Sequence, residues 1–173
     1  MNLIVTCSRH LEEEASDEIE KTLELLGDPR PKTSHSRFSG IVMVDTNLDP
    51  FKAVDDIRAK ILDEPWSVRY CHRFIPIQES TKTSIESIAD SVKKHVGLMK
   101  PGDSYRITVE KRGSELSTKD LIDAIAKTIQ NRVSLEEYDW NVVVEIMGDI
   151  SGVSILKESS ILSTLKLKRD SPA

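Results

Sequence analysis

The order of apolar segments in the first 80 residues is the feature that most restricts the folds open to this chain. Apolar residues recur at every third or fourth position in two long segments, which predicts helices at residues 10–26 and 50–64. Asp49 and Pro50 are a typical N-cap and first-turn pair for the second helix. Shorter extended segments surround these helices, at residues 3–5, 33–37, 38–45 and 66–77. The predicted order is therefore strand, helix, strand, strand, helix, strand.

This order is the split βαβ arrangement of a ferredoxin-like unit, which we predict for residues 1–80. The remaining chain has a different order, namely helix, strand, helix, strand, strand, over residues 81–158. Thr83 and Glu86 predict a capping box at the start of its first helix. The two halves together predict an α+β protein with two domains packed against each other, followed by a C-terminal tail at residues 159–173.

Residues 105–132 contain an alternating strand, a short loop and a capped helix. The strand ends in Lys111 and Arg112, and the segment from Ser117 to Asp120 has the hydroxyl and the carboxylate that open a helix. The free N–H groups and the dipole of a helix N-terminus favour a phosphate. Two cations at the strand's end therefore predict a phosphate-binding surface for a polyanion.

The chain is acidic overall, with 24 Lys and Arg against 29 Asp and Glu. The whole excess lies in residues 1–80, which carry 10 Lys and Arg against 15 Asp and Glu, whereas residues 81–173 carry 14 of each. Charges separated by more than about 8 Å are largely screened at physiological salt. The charge distribution therefore permits a local basic surface in the second half of the chain.

The composition predicts a soluble cytoplasmic protein. No apolar run approaches the ~20 residues that span a bilayer, and the first apolar segment turns polar at Ser8, too early for a signal peptide. Cys7 and Cys71 do not form a CxxC pair. They fit reduced thiols in a cytosolic protein, with a bridge between the two as the alternative.

The sequence patterns that mark common catalytic sites are missing, so we expect no enzyme activity, no metal and no cofactor. There is no Gly-rich phosphate loop and no GxSxG or CxxC motif. Cys71 and His72 are adjacent on a predicted strand, so their side chains point to opposite faces and do not chelate one ion. The four histidines lie on different predicted elements without metal-ligand spacing: His10, His35, His72 and His95.

The chain resembles stand-alone THUMP-domain proteins and is most similar to the tRNA-binding adaptor family for tRNA cytidine acetylation. The resemblance rests on four ordered segments that follow a βαββαβ unit: residues 105–112, 117–125, 142–148 and 152–156. It implies a THUMP-like α/β domain at residues 81–158 that binds tRNA, and a separate acetyltransferase to which the tRNA is presented. Ser114 and Glu115 depart from the family pattern, which often has further basic residues or His in this loop.

Ten basic residues are the predicted RNA contacts: Lys111, Arg112, Lys119, Arg106, Arg69, Arg73, Lys157, Lys166, Lys168 and Arg169. Lys111 and Arg112 are alternatively solvated charges at a strand end, and Arg106 alternatively pairs with Glu110. Arg69 and Arg73 share one face of the predicted 66–77 strand and either extend the RNA surface or pair with acids of the first helix. The last three basic residues lie in a segment typical of a disordered, solubilising end.

A second basic run without acids contains Arg30, Lys32, His35 and Arg37. It is either a further RNA contact or a charged edge strand that prevents aggregation. Aromatic residues make up 5% of the chain, so we expect phosphate and shape recognition to dominate over base stacking.

Two functions from different classes fit these patterns. The first is a non-catalytic tRNA-binding adaptor that presents tRNA to a modification enzyme in trans. The second is a protein-interaction or ligand-sensing ferredoxin-like module without an RNA role, which the acidic net charge of −5 favours.

Overall fold

The computed structural model describes residues 1–171 and divides the chain into two units. Unit 1 comprises Met1–Ile77 together with the segment that begins at Ser159, and unit 2 comprises Gln78–Glu158. The first boundary precedes the predicted one because Glu79–Lys82 forms a strand of the sheet in unit 2.

Ten strands lie within the described residues: β1 (Leu3–Cys7), β2 (Lys32–His35), β3 (Ile41–Asp45), β4 (Cys71–Pro76), β5 (Glu79–Lys82), β6 (Ser104–Arg112), β7 (Arg132–Val133), β8 (Trp140–Met147), β9 (Ile150–Leu156) and β10 (Leu162–Ser163). Five helices lie in the same part of the chain: α1 (Glu12–Leu25), α2 (Pro50–Asp63), α3 (Ile85–His95), α4 (Thr118–Ala126) and α5 (Thr164–Asp170). None of these helices has the length and apolar character that crossing a bilayer requires.

Unit 1 is built on an antiparallel sheet with the strand order β10-β4-β1-β3-β2. Side chains alternate along the central strand β1, so Leu3 and Val5 share a core with α1 and α2. Helical spacing gives both helices a buried apolar face: Ala15, Ile19, Leu23, Val54, Ile57 and Ile61. Unit 1 therefore has the ferredoxin-like arrangement that the sequence predicts.

The strand predicted at residues 66–77 is correct only in its second part, because β4 begins at Cys71. The backbone before β4 is held by Glu18 of α1, whose carboxylate accepts hydrogen bonds from the N–H groups of Arg69, Tyr70 (2.8 Å) and Cys71 (2.9 Å). These donors are therefore bound by a side chain instead of a strand partner. The local sequence pattern does not reveal such a tertiary contact.

The C-terminal segment adds a strand and a helix to unit 1. Leu162 of β10 pairs with Phe74 of β4 and is only 2% exposed. Thr164 Oγ1 donates a hydrogen bond to the carbonyl of Cys71 at 2.9 Å. These residues do not form the separate tail that the sequence predicts for residues 159–173, of which 172 and 173 lie outside the described residues.

Unit 2 is built on a mixed sheet with the strand order β5-β9-β8-β6-β7. β6 runs parallel to β7 and β8, whereas β9 is antiparallel to β5 and β8. α3 and α4 bury their apolar residues with those of three strands in one core: Ile88, Val92, Leu121, Ile125, Tyr105, Val142, Val144, Val153 and Ile155. The five predicted elements are present, and the short edge strands β5 and β7 are additional.

The cap of α3 differs from the predicted capping box by one residue. Ser84 is the N-cap, and its Oγ accepts a hydrogen bond from the N–H of Ser87 at 3.0 Å. Thr83 Oγ1 instead lies 2.7 Å from Ser151 Oγ in β9. Both hydroxyl residues fit a cap by type, and the neighbouring strand decides which one serves.

Cys7 and Cys71 are register partners across β1 and β4, and both are free thiols. Burial raises the pKa of Cys7 to about 11, with the carboxylates of Glu12 and Glu14 adding to the effect. Burial also raises the pKa of Cys71, which is 1% exposed. Both thiols therefore stay protonated at neutral pH, and protonation slows disulfide formation because the thiolate is the attacking species.

Candidate nucleic-acid interface

The loop between β6 and α4 has the strand, loop and capped helix that the sequence predicts. Gly113 follows β6 with a left-handed backbone (φ 65°), which glycine adopts without a steric penalty. Ser117 caps α4, and its Oγ accepts a hydrogen bond from the N–H of Asp120 at 3.2 Å. The first-turn N–H groups of α4 have no partner within the helix and favour an anion.

Lys111 and Arg112 lie on opposite faces of the unit 2 sheet, because successive residues of a strand point in opposite directions. Lys111 Nζ donates a hydrogen bond to the carbonyl of Leu116, just before α4, at 2.9 Å. Arg112 Nη1 donates to Glu145 Oε2 of β8 at 2.9 Å. The prediction that both cations form one surface is therefore wrong, and RNA contact by either residue stays a prediction.

Arg112 is held by a buried acid. The side chain of Glu145 is 4% exposed and that of Arg112 is 28% exposed. Removing Arg112 would take away the charged partner of a buried carboxylate, which costs stability. The pair also neutralises much of the charge that Arg112 would offer to a phosphate, so its first role is within the sheet.

Lys119 is the second cation beside the N-terminus of α4. It lies in the first turn, it is exposed, and no described residue forms an ion pair or hydrogen bond with its ammonium group. We call Lys111, Lys119 and the backbone of residues 117–119 the α4 edge. Glu115 and Asp120 are exposed acids next to it in sequence, so the positive charge of this edge is moderate.

Arg106 and Lys157 lie near the opposite end of the unit 2 sheet and contact aromatic rings. The Arg106 guanidinium lies 5.8 Å from the ring centroid of Tyr138, so it does not adopt the alternative pairing with Glu110. Lys157 Nζ lies 4.1 Å from the ring centroid of Trp140. At about 3.3 Å per residue, the end of β6 is roughly 20 Å from Arg106, so these two residues do not join the α4 edge.

Arg69 and Arg73 do not share a strand face, contrary to the prediction. Arg69 precedes β4, and its guanidinium lies 5.8 Å from the ring centroid of Tyr70. Arg73 lies inside β4, where its register partners are Thr6 of β1 and Ser163 of β10, and its side chain is exposed. The late start of β4 removes the regular alternation on which the prediction depended.

Lys166, Lys168 and Arg169 lie on α5 and not in a disordered end. Lys168 Nζ donates a hydrogen bond to the carbonyl of Val68 at 2.5 Å, which fastens α5 to the segment before β4. Arg169 pairs with the adjacent aspartate at 3.2 Å, and Lys166 is exposed. Lys168 thus reaches the residue next to Arg69, a proximity that 100 residues of sequence separation conceal.

Trp66, which is not among the predicted RNA contacts, is 72% exposed in a 3₁₀ turn at Pro65–Ser67. The available signal was Pro65, which ends a helix and favours a turn over a continued strand. An exposed indole offers a flat surface on which a base stacks. Trp66 is two residues from Val68, the carbonyl that Lys168 contacts.

The two units carry nearly the same net charge. Unit 1 has 13 Lys and Arg against 15 Asp and Glu, and unit 2 has 11 against 14. Counted by position in the chain, the acidic excess lies in the first half. Counted by unit, it is shared, because the three basic residues of α5 belong to unit 1 and Glu79 belongs to unit 2. Positive surfaces in both units are therefore local.

Two histidines make contacts within their own units, His35 at the end of β2 and His95 at the end of α3. His35 Nε2 lies 2.8 Å from Ser16 Oγ, and His95 Nε2 lies 3.2 Å from Glu79 Oε2. A hydrogen bond from Lys94 lowers the pKa of Glu79 and keeps it ionised. Within residues 1–171, no group of three or more His, Cys, Asp or Glu side chains is arranged to hold a metal ion.

Residues 81–156 match the family model of the THUMP domain. The matched segment begins within β5, includes α3 and α4, and ends at the last residue of β9, so it lies inside unit 2. Unit 2 therefore carries a THUMP domain, and the α4 edge is part of it.

Three solved structures share the fold at 20% sequence identity or less. PH1313 from Pyrococcus horikoshii Ot3 has a TM-score of 0.67 and 20% identity, over 91% of this chain and 55% of that chain. TrmN from Thermus thermophilus has a TM-score of 0.56 and 11% identity, over 90% of this chain and 45% of that chain. A 4-thiouridine synthetase–RNA complex with bound ATP has a TM-score of 0.52 and 11% identity, over 94% of this chain and 42% of that chain. The chain thus spans about half the length of these structures, and no curated protein matches it.

Proposed function

We propose that this protein binds tRNA through its THUMP domain and presents it to a modification enzyme that acts in trans. The observation that carries the proposal is the THUMP match at residues 81–156, which includes the α4 edge with Lys111 and Lys119. The fold similarity to a 4-thiouridine synthetase that is bound to RNA supports the same substrate class.

The proposed binding mode is recognition of the RNA backbone. The Lys111 ammonium donates one hydrogen bond to the carbonyl of Leu116, which leaves two donors for a phosphate. Lys119 adds a second cation, and the first-turn N–H groups of α4 add neutral donors. These groups contact phosphate oxygens and carry no base specificity, so tRNA shape and the partner enzyme supply the selectivity.

The non-catalytic role and the acetylation step belong to the proposal as well. The chain covers 42–55% of the three structural relatives, so the matched region accounts for about half of each of those proteins. The resemblance of residues 105–156 to the adaptor family indicates a tRNA cytidine acetyltransferase as the partner. The proposal places this step in the cytoplasm.

Filter binding to total tRNA at a series of salt concentrations tests the RNA role. Four or five phosphate contacts give a log–log slope of roughly −3 to −4 for single-stranded character. Lys111→Ala with Lys119→Ala should reduce the magnitude of the slope by about 1.4. The matched control is Lys93→Ala with Lys127→Ala, which removes two exposed lysines of unit 2, one on α3 and one directly after α4. An equal loss in both double variants would show that the α4 edge is not the binding surface.

The adaptor role is tested by reconstitution with the purified acetyltransferase. Acetylcytidine in tRNA, measured by mass spectrometry, should rise when the protein is added and should fall back with the Lys111→Ala, Lys119→Ala variant. Acetylation that proceeds equally without the protein contradicts the adaptor role but leaves tRNA binding intact.

The rival function, a protein-interaction or ligand-sensing module without an RNA role, is favoured by two observations. The Arg112 charge is compensated by Glu145, and both units are net acidic. This function predicts a flat salt dependence and weak tRNA binding even at low salt.

A further inference from the structure

An open cavity of about 370 Å³ lies at one end of the β2–β3 hairpin in unit 1. Five polar or charged residues line it: Arg30, Lys32, Asp45, Thr46 and Asn47. A cavity of this volume is at the small end of the range for ligand sites, and its polar lining does not suit an apolar ligand. It suits a small, hydrated, charged group.

The backbone around the cavity is held in place by Asp28, which is fully buried. Its carboxylate accepts hydrogen bonds from Thr46 Oγ1 (2.6 Å), the N–H of Asn47 (2.9 Å) and the N–H of Arg30 (3.0 Å). Burial by itself raises the pKa of Asp28, but these hydrogen bonds outweigh it and keep the pKa below the usual value. Thr46, Asn47 and the backbone of Arg30 are therefore held in place before any ligand binds, and the carboxylate's oxygens are already occupied by protein donors.

The two cations of this cavity are unpaired among residues 1–171. No described residue forms an ion pair or side-chain hydrogen bond with the Arg30 guanidinium or the Lys32 ammonium group. Asp45 is the one carboxylate in the lining, and its Oδ1 lies 2.5 Å from the amino nitrogen of Met1. Two unpaired cations thus face a cavity whose single carboxylate contacts another cation.

We propose that this cavity binds a phosphate group, and that the phosphate belongs to the RNA. The Arg30 guanidinium supplies a planar set of donors that matches phosphate oxygens, and Lys32 supplies a point charge. The RNA source rests on the proposed function, whereas the phosphate site rests on the cavity itself. The site gives unit 1 its own contact with the polyanion, separate from the α4 edge.

The competing explanation is a charged edge, since β2 is the last strand of its sheet and charges there deter aggregation. A charged edge needs only charge, whereas a phosphate site needs Arg30 and Lys32 at fixed positions. The negative charge of Asp45 in the lining weakens the binding of an anion there. Asp45→Asn therefore separates the two explanations. It should strengthen anion binding to a phosphate site and should have no such effect at a charged edge.

The phosphate site is tested by NMR, with inorganic phosphate titrated into the full chain at low salt. The amide signals of Thr46 and Asn47 should shift and saturate in the millimolar range, and Asp45→Asn should tighten binding several-fold. Arg30→Ala with Lys32→Ala should abolish the shifts, whereas Lys21→Ala with Lys52→Ala, two exposed lysines of α1 and α2, should preserve them. Shifts that do not saturate, or that persist in the cavity variant, overturn the proposal.

The RNA source is tested by tRNA filter binding with the same variants. Arg30→Ala with Lys32→Ala should weaken binding on the order of tenfold and reduce the magnitude of the salt slope by about 1.4. If the wild-type protein binds tRNA and that variant binds it equally well, the phosphate does not come from the RNA, and the proposed function is unaffected. Absence of tRNA binding by the wild-type protein, together with saturable phosphate shifts, overturns the proposed function and the RNA source but leaves the phosphate site.

Discussion

The two units differ in how their positive charges are partnered. In unit 2, which carries the THUMP domain, Arg112 pairs with a buried acid and Lys111 contacts a carbonyl. In unit 1, Arg30 and Lys32 face an open cavity, and their side chains have no ion-pair or hydrogen-bond partner in the described part of the chain. The difference shows that cations unpaired among the described residues lie both inside the family match, at Lys119, and outside it, at Arg30 and Lys32. We propose that both parts hold RNA, and the variants of each part test this separately.

The largest expected effect concerns the segment that completes unit 1. Leu162→Ala removes a side chain that is 2% exposed and packs in the unit 1 core. We expect a loss of about 2–5 kcal/mol in the free energy of unfolding of unit 1. Urea denaturation followed by backbone amide NMR signals checks this, because each signal belongs to a residue of unit 1 or of unit 2. Leu165→Ala, at a 64% exposed position of α5, is the control, and an equal loss there would contradict the packing role of β10.

A smaller effect separates two adjacent residues of unit 2. Arg112→Ala leaves Glu145 buried without its ion pair and should lower the free energy of unfolding by about 2 kcal/mol. Lys111→Ala should cost less than about 0.5 kcal/mol, because its side chain is exposed. The measurement is chemical denaturation of both variants beside their tRNA affinities. A variant of Arg112 that keeps full stability and loses tRNA binding would show that its ion pair is incidental.

The smallest expected effect is a pH dependence in unit 1. The folded-state pKa of Asp28 lies below the unfolded value near 3.8, so ionised Asp28 stabilises the fold above that pH. The stabilisation is lost as pH falls through the folded pKa, so the urea midpoint should decline steeply below about pH 4. Asp28→Asn should flatten this decline and lower stability at neutral pH. Asp49→Asn, at an exposed cap of α2, is the control that should retain the decline.

Much of the fold follows from local patterns, and the exceptions have specific causes. The ferredoxin-like order and the caps at Asp49 and Ser117 were predicted because apolar period and capping chemistry are local. The 66–77 strand was extended too far because Glu18, on another element, binds the backbone before β4. The prediction that Lys111 and Arg112 form one surface was wrong for a local reason, since strand alternation already separates their side chains.

The cavity beside β2 and β3 shows what sequence reasoning reaches and what it does not. The acid-free run that contains Arg30 and Lys32 is visible in the sequence, with RNA contact and edge protection as equal alternatives. The position of Asp28, which orders Thr46 and Asn47 around the cavity, is not visible there. Asp28 is separated from Thr46 by 18 positions and from Asn47 by 19, so these hydrogen bonds exist only once the hairpin has formed.

The main helices and strands and their order follow from the sequence alone, because hydrophobic period, capping residues and turn residues act over a few neighbouring positions. The exceptions are the short elements β5, β7, β10 and α5. The tertiary structure decided which charges remain available. It placed α5 in unit 1, paired Arg112 with Glu145 and left Arg30 and Lys32 facing a cavity. The physical reason is that ion pairing and burial depend on contacts between residues far apart in the chain, and no local pattern encodes them.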